Sequence, residues 1–359
     1  MVCGAELRRG KDGMAARAMR KKVVYVVGAG LSAGLDFPTI RNLLPEMWER
    51  LVDKGLATDL AKVIRFHHPA FNASLKNTFP NVETLLSEMQ ANEQLFDSSR
   101  PTTGAFLPED LLNIRRSFLL ELANWFHDKK DAALKKPALW LEQLCEDMKK
   151  EKAQVISFNW DLVLDDLLFG NVLDHSSYGL DKQVDKVRLI KPHGSLNWYK
   201  KSEDGQHLKD SKTFPLAGKG SGKVVAFRPL RAPISTKRTY MPLIVPPVYS
   251  KQFEGDIFRR LWRETVSVLS TASEIHFLGY SLAHADFHAR FILRCGFYNQ
   301  VAGALKPDGS RQDPTGRARV TIVDPCKDKS VPRRIRETVG WNCTWRQKTV
   351  EQWMNDKHK

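Results

Sequence analysis

No stretch of this 359-residue chain stays apolar for the roughly 20 residues that a membrane-spanning helix needs, so a transmembrane protein is excluded. The first residues, MVCGAELRRGKDGMAARAMRKK, carry positive charge with no apolar core behind it. They do not read as a secretory signal, and residues 1–21 are expected to be a basic, flexible tail. Cysteine is scarce and scattered, at Cys3, Cys145, Cys295, Cys326 and Cys343, with no pair two residues apart. A structural zinc site is therefore not expected, nor is any other metal, and a reducing cytoplasm is the expected setting. No Gly-Lys-Ser/Thr follows the one glycine-rich loop, which excludes the phosphate loop of ATPases. Aromatics are thin where charge is densest. Residues 200–238 hold ten basic side chains against three acidic ones, about half of the net charge of +15, yet only Phe214 and Phe227 lie among them. That is too few for a single-strand stacking platform. The segment reads as a solvated basic loop or as a patch for nucleic acid, an acidic protein or an anionic nucleotide.

What the chain does have is concentrated in residues 22–39, KVVYVVGAGLSAGLDFPT. Five apolar residues, Val23 to Val27, run into Gly28-Ala29-Gly30-Leu31-Ser32-Ala33-Gly34. A short β-branched run closed by glycine predicts a buried strand of a parallel sheet. The glycines permit a tight turn and a close backbone approach to a ligand, and a following helix would aim its positive end at the same point, which suits a pyrophosphate. A strand-to-helix turn without any ligand fits the same residues.

Residues 40–150 are mostly helical in pattern: LLPEMWERLV, NVETLL with Asn81 as a cap, LLNIRRSFLLELANWF and ALWLEQLCEDMKK. One crossover needs far less, which predicts a helical subdomain inserted into the sheet topology. Strands are then expected at 153–158, 187–191, 274–278 and 319–323, with helices at 162–169, 257–272 and 285–297. Residues 306–316, KPDGSRQDPTG, read as a polar, disordered loop, and 351–359 as a C-terminal tail. The polar residues then fall just past strand ends: Gly28 to Ser32, Asn159 and Asp161, His193 to Ser195, Gly279 to Ser281, and Asp324. In an open parallel sheet that edge holds the ligand crevice.

GAGLSAGLDFPT, SFNWD, KPHGS, LGYSL and IVDP, in that order, resemble the sirtuin-like NAD-binding fold, closest to its bacterial branch associated with phage defence. The resemblance implies an α/β, Rossmann-like parallel sheet with the helical insertion at about 40–150, one catalytic domain over 22–350, and NAD as substrate. It implies Gly28, Ala29, Gly30 and Ser32 at the pyrophosphate and nearby ribose, and Phe37 and Pro38 near the nicotinamide. Asn159, Asp161 and His193 would lie at the nicotinamide ribose, Gly279 and Ser281 under the phosphates, and Asp324 near the adenosine ribose. The four zinc cysteines of the deacylases are absent, which puts the acyl-lysine groove in doubt. The resemblance thus implies an NAD hydrolase that depletes NAD in abortive infection. Its gate would be homo-oligomerisation or a partner such as a ring-forming helicase-like ATPase or a short Argonaute.

Those residue types suit the chemistry. Breaking the nicotinamide–ribose bond builds positive charge on the ribose, as in glycoside hydrolysis. Asn159 can orient water or ribose without a charge to desolvate, and histidine titrates near neutral pH, so His193 can take a proton. An ADP-ribosyltransferase acting on protein or nucleic acid, or a non-catalytic module that senses a nucleotide and binds nucleic acid, uses the same residues.

Overall fold

The computed structural model describes residues 21–95, 106–181, 185–201, 213–216, 224–227, 240–244, 256–283 and 286–359. β1 (Val23–Val27) is followed by α1 (Ala29–Ala33), α2 (Leu43–Asp53), α3 (Ala57–His67), α4 (Val82–Leu95), α5 (Pro108–Leu134) and α6 (Leu139–Glu151). The chain returns through β2 (Gln154–Ser157), α7 (Val163–Phe169) and β3 (Arg188–Ile190). Next come β4 (Gly194–Lys201), β5 (Thr213–Pro215), β6 (Val224–Phe227) and β7 (Tyr240–Ile244). α8 (Asp256–Ser270), β8 (Glu274–Leu278), α9 (Phe287–Ala302), β9 (Arg319–Val323), α10 (Ser330–Val339), β10 (Thr344–Arg346) and α11 (Val350–Lys357) follow.

The five strands expected from the sequence, joined by the unforeseen β10, form one parallel sheet in the order β10-β9-β8-β1-β2-β3. Numbered among themselves, these strands run 3-2-1-4-5-6 from β3 to β10, the doubly wound Rossmann order, with its switch point between β1 and β8. β1 is buried along its whole length, and each of its valines contributes on the order of 1.5–3 kcal/mol by leaving water. Both faces of the sheet are covered, and neighbouring residues of β8 show how. His276 meets Trp353 of α11 with ring centroids 5.6 Å apart, while Phe277 meets Phe297 of α9 at 6.4 Å. Alternate residues of a strand point to opposite faces, so α11 and α9 cover opposite sides. The fold class is therefore α/β with a parallel, Rossmann-like sheet.

Several expectations need correcting. Residues 194–198, read as a loop after the third strand, begin β4, which belongs to a second, antiparallel sheet ordered β5-β6-β4-β7. Its polar residues Ser195 and Asn197 are buried, so no exposed face marked it as a strand in the sequence. The basic segment 200–238 is not one continuous loop, because it contributes the end of β4, β5 with the following Leu216, and β6; the rest of it lies outside the described residues. α3 was not foreseen. The tail expected at 351–359 is mostly helix: Thr349 and Gln352 form a capping box, Met354 is buried, and Lys357 reaches Asp147 at 2.7 Å. The 306–316 loop is described and hydrogen-bonded, with Thr315 Oγ1 donating to the Ser270 carbonyl at 2.7 Å. Residues 1–20 lie outside the described residues, and Lys21, assigned to the tail, pairs with Glu274.

Candidate active site at the switch point

The polar residues singled out in the sequence do follow strand C-termini along one edge of the sheet: Gly28 after β1, Asn159 and Asp161 after β2, His193 after β3, Gly279 after β8, Asp324 after β9. At the switch point the loops after β1 and β8 are pressed together. Gly30 N donates to Gly279 O at 2.8 Å, and Gly28 N donates to Leu278 O at 3.1 Å. A Cβ on Gly28 would come within 2.6 Å of the Tyr280 Cα, and one on Gly30 within 2.8 Å of the Gly279 Cα. Gly279 itself has φ of +57°. These glycines are thus required by loop-against-loop packing, whatever the ligand. The phosphate expectation is narrowed in two respects. α1 is only five residues long, so its dipole is small, and the Gly30 N–H is already committed. Ala29 is half-buried and Gly30 exposed, so the loop still presents backbone to the edge.

A hydrogen-bonded chain crosses from this loop to the next. Asn159 Nδ2 donates to the Gly28 carbonyl at 3.1 Å and to Ser32 Oγ at 3.0 Å. Ser32 Oγ donates to Asp161 Oδ2 at 2.7 Å, and Val163 N donates to Asp161 Oδ1 at 3.1 Å. The Gly28 carbonyl can only accept, which fixes the orientation of the Asn159 amide. Its Oδ1 is left as an acceptor with no partner among the described residues, on a side chain that is only half-buried. Ser32 and Asp161 are buried, with their polar atoms turned to each other. Through Ser32, Asp161 is linked to the Asn159 amide. Burial pushes the Asp161 carboxyl above the usual carboxylate range, against the opposing pull of Lys191 and the Ser32 hydroxyl.

Below this chain lies a residue that sequence reasoning passed over. Lys191 is closed to solvent, and its Nζ donates to the Asp161 carbonyl at 2.7 Å, to Ser195 Oγ at 2.8 Å and to Asp165 Oδ2 at 2.9 Å. It ties the loop carrying Asn159 to the start of β4, beside His193. Tyr178 completes the cluster, donating to Asp165 Oδ1 at 2.6 Å, and burial beside that carboxylate raises its phenol well above the ordinary value. Lysine is ordinarily a solvated surface residue, so nothing local marked it.

His193 is buried behind a wall of rings. Phe158 meets it edge-on with centroids 4.9 Å apart, and Phe158 in turn stacks on Tyr280 at 4.5 Å with planes 8° apart. Trp262 lies 6.0 Å away. His193 Nε2 sits 3.0 Å from Asp286 Oδ2, and Asp286 Oδ1 caps α9 by accepting from Ala289 N. An aspartate three residues ahead of that bond is a capping signal the sequence does carry. Gly194 follows with φ of +79°, and a Cβ there would meet the Leu243 carbonyl at 2.1 Å, so only glycine fits beside the histidine. The remaining expected residues lie nearer the edges. Phe37 and Pro38 are buried, Phe37 packing edge-on against Phe126 at 5.4 Å. Ser281 is exposed and its carbonyl accepts from Arg334, while Asp324 Oδ1 accepts from Cys326 N at 2.9 Å. Among the described residues no cluster of three or more His, Cys, Asp or Glu could hold a metal, and no helix is long and apolar enough to cross a membrane.

No family model matches the chain, and no curated protein matches it. Solved structures do. A Sir2 homologue in complex with NAD is 13% identical, with a TM-score of 0.43, covering 94% of this chain and 89% of its own. A mutant Sir2 homologue with ADP-ribose is 11% identical at a TM-score of 0.42, covering 94% and 90%. A Sir2 protein with an inhibitor, 2'-O-acetyl-ADP-ribose and a deacetylated peptide is 14% identical at 0.40, covering 93% and 91%. Identities this low say nothing about residue roles.

Proposed function

We propose that this protein hydrolyses NAD, breaking the bond between nicotinamide and ribose. The observation that carries the reading is the anchored amide of Asn159: both its N–H donors are spent on the loop, so one oriented acceptor is left at the switch point. An acceptor there can hold a water or a ribose hydroxyl while positive charge builds at the anomeric carbon. The C–N bond breaks and its electron pair leaves with neutral nicotinamide. The water oxygen bonds to the anomeric carbon and gives its proton to His193, held in orientation by Asp286, from which it passes to solvent. The products are ADP-ribose, nicotinamide and a proton. Ser32, Asp161 and Lys191 are positioning residues in this scheme. The Sir2 homologues seen with NAD and ADP-ribose agree with this substrate class.

By the resemblance set out above, the reaction would serve phage defence by depleting NAD, gated by self-assembly or a partner protein. The test is to incubate the protein with NAD, alone and with the product of the neighbouring gene, and to measure nicotinamide. Release is expected, with Asn159→Ala and His193→Ala lowering it by roughly a hundredfold or more. No release under either condition, or undiminished release from both variants, rejects the reading. Label from NAD found on a macromolecule would make the protein a transferase instead.

A further inference from the structure

α9 leaves an apolar seam largely exposed, with the Arg311 guanidinium over the Tyr298 ring at 5.2 Å. Phe287, Phe291, Tyr298 and Val301 are 57%, 56%, 56% and 42% exposed, large values for apolar side chains on one helix. With exposed Arg294 they recur at steps of four, three, four and three residues. That is the a/d spacing of a helix that packs lengthwise against another helix, at 3.5 residues per repeat. Scattered surface hydrophobics have no such period. The other side of α9 is already used: Leu293 and Phe297 are buried, and Gly296 is packed against Leu269 of α8.

The charge on α9 itself is of one sign, and the basic residues around it are of one type. Between Phe287 and Ala302 there are two arginines, Arg290 and Arg294, with no lysine and no acidic residue. The two helices packed against α9 continue the pattern. α8 carries Arg259, Arg260 and Arg263 against Asp256 and Glu264, and α10 carries Arg333, Arg334 and Arg336 against Glu337, so both are net positive and again without lysine. Aromatics and arginine enriched together, with lysine depleted, is the composition of a protein interface and not of a merely solvated face. Arg294 has no hydrogen bond or ion pair among the described residues, so its charge is available to a partner.

We propose that the α9 seam is a docking surface for an acidic amphipathic helix of another protein, its leucine-type residues between the aromatics and its carboxylates over the arginines. A second copy of this chain is disfavoured, because pairing α9 with itself antiparallel would set Arg294 against its own counterpart. Nucleic acid would use the arginines and rings, but it has no need of a 3.5-residue period or of Val301. The surface is joined to the candidate site by one peptide bond: Phe287 follows Asp286, the partner of His193.

The test uses the full chain and a labelled helical peptide with leucine at a and d and glutamate at e and g. Its controls are the same peptide with lysine for glutamate and a single-stranded oligonucleotide, each followed by fluorescence anisotropy. The acidic peptide is expected to bind saturably, and more weakly at higher salt. The double variant Phe291→Ser/Tyr298→Ser, at exposed positions that folding does not need, is expected to weaken it by about tenfold or more. Arg294→Glu is expected to shift preference towards the lysine peptide. No saturable binding, equal binding of both peptides, or binding unchanged in the double variant overturns the proposal. So does an oligonucleotide that outcompetes the acidic peptide, or self-association in sedimentation equilibrium that the same double variant abolishes. None of these readouts depends on NAD turnover.

Discussion

Lys191 Nζ stands 2.9 Å from Asp165 Oδ2 with both side chains closed to solvent, and the same ammonium holds the Asp161 carbonyl and the Ser195 hydroxyl. Removing one partner of such a pair leaves a buried charge uncompensated. Lys191→Met is expected to cost about 3–5 kcal/mol in urea unfolding, and Lys191→Met/Asp165→Leu to recover most of that loss. A single variant within 1 kcal/mol of the parent, on the scale of a surface pair, would show that the cluster is not the closed ion pair described.

Asp286 serves two masters, capping α9 through Ala289 N and holding His193 Nε2. Asparagine caps about as well as aspartate. Asp286→Asn is therefore expected to keep the melting temperature near the parent's while lowering nicotinamide release by roughly a hundredfold. Equal activity in the two proteins would remove Asp286, and the orientation argument for His193, from the mechanism.

Gly279 and Gly340 both have positive φ, +57° and +85°, but they differ in surroundings. A Cβ on Gly279 would strike Gly30 backbone at 2.5 Å, whereas nothing lies within 4 Å of one on Gly340. Gly340→Ala is expected to cost about 1 kcal/mol and Gly279→Ala clearly more, about 2–3 kcal/mol, from conformation and clash together. Equal costs for the two would mean that the two loops are not in contact.

Acid stability has an identifiable source. The hydrogen bond from His276, with help from Lys21, holds the Glu274 carboxyl at about 2 against burial, which acts to raise it. A carboxylate lowered in the fold adds stability that is fully present above its ordinary value of 4.5 and is lost as pH falls towards 2. Glu274→Gln is expected to unfold at lower urea than the parent at pH 6, with the gap closing between pH 4.5 and pH 2. A gap that stays constant over that range would assign the difference to packing.

The parallel sheet was legible in the sequence because its long strands are built on apolar residues: β1 is an unbroken apolar run, as burial on both faces favours, while β8 and β9 carry Ile275, Phe277, Leu278, Val320, Ile322 and Val323 around Glu274, His276, Arg319 and Thr321. The polar residues at the strand ends were legible for the same reason, since the end of an apolar run marks the edge. β4 was not, because Ser195 and Asn197 look like loop residues until Lys191 and Tyr178 satisfy them. The roles within the site also had to wait for three dimensions. The residues that meet there are far apart in the chain: Asn159 reaches back 131 positions to Gly28, and Asp286 comes from a different loop to hold His193. Local sequence determines which segments bury themselves, because hydrophobic burial depends on the residues of the segment itself. Which hydrogen bond an amide, a lysine or an aspartate makes depends on atoms that only the assembled sheet brings within 3 Å.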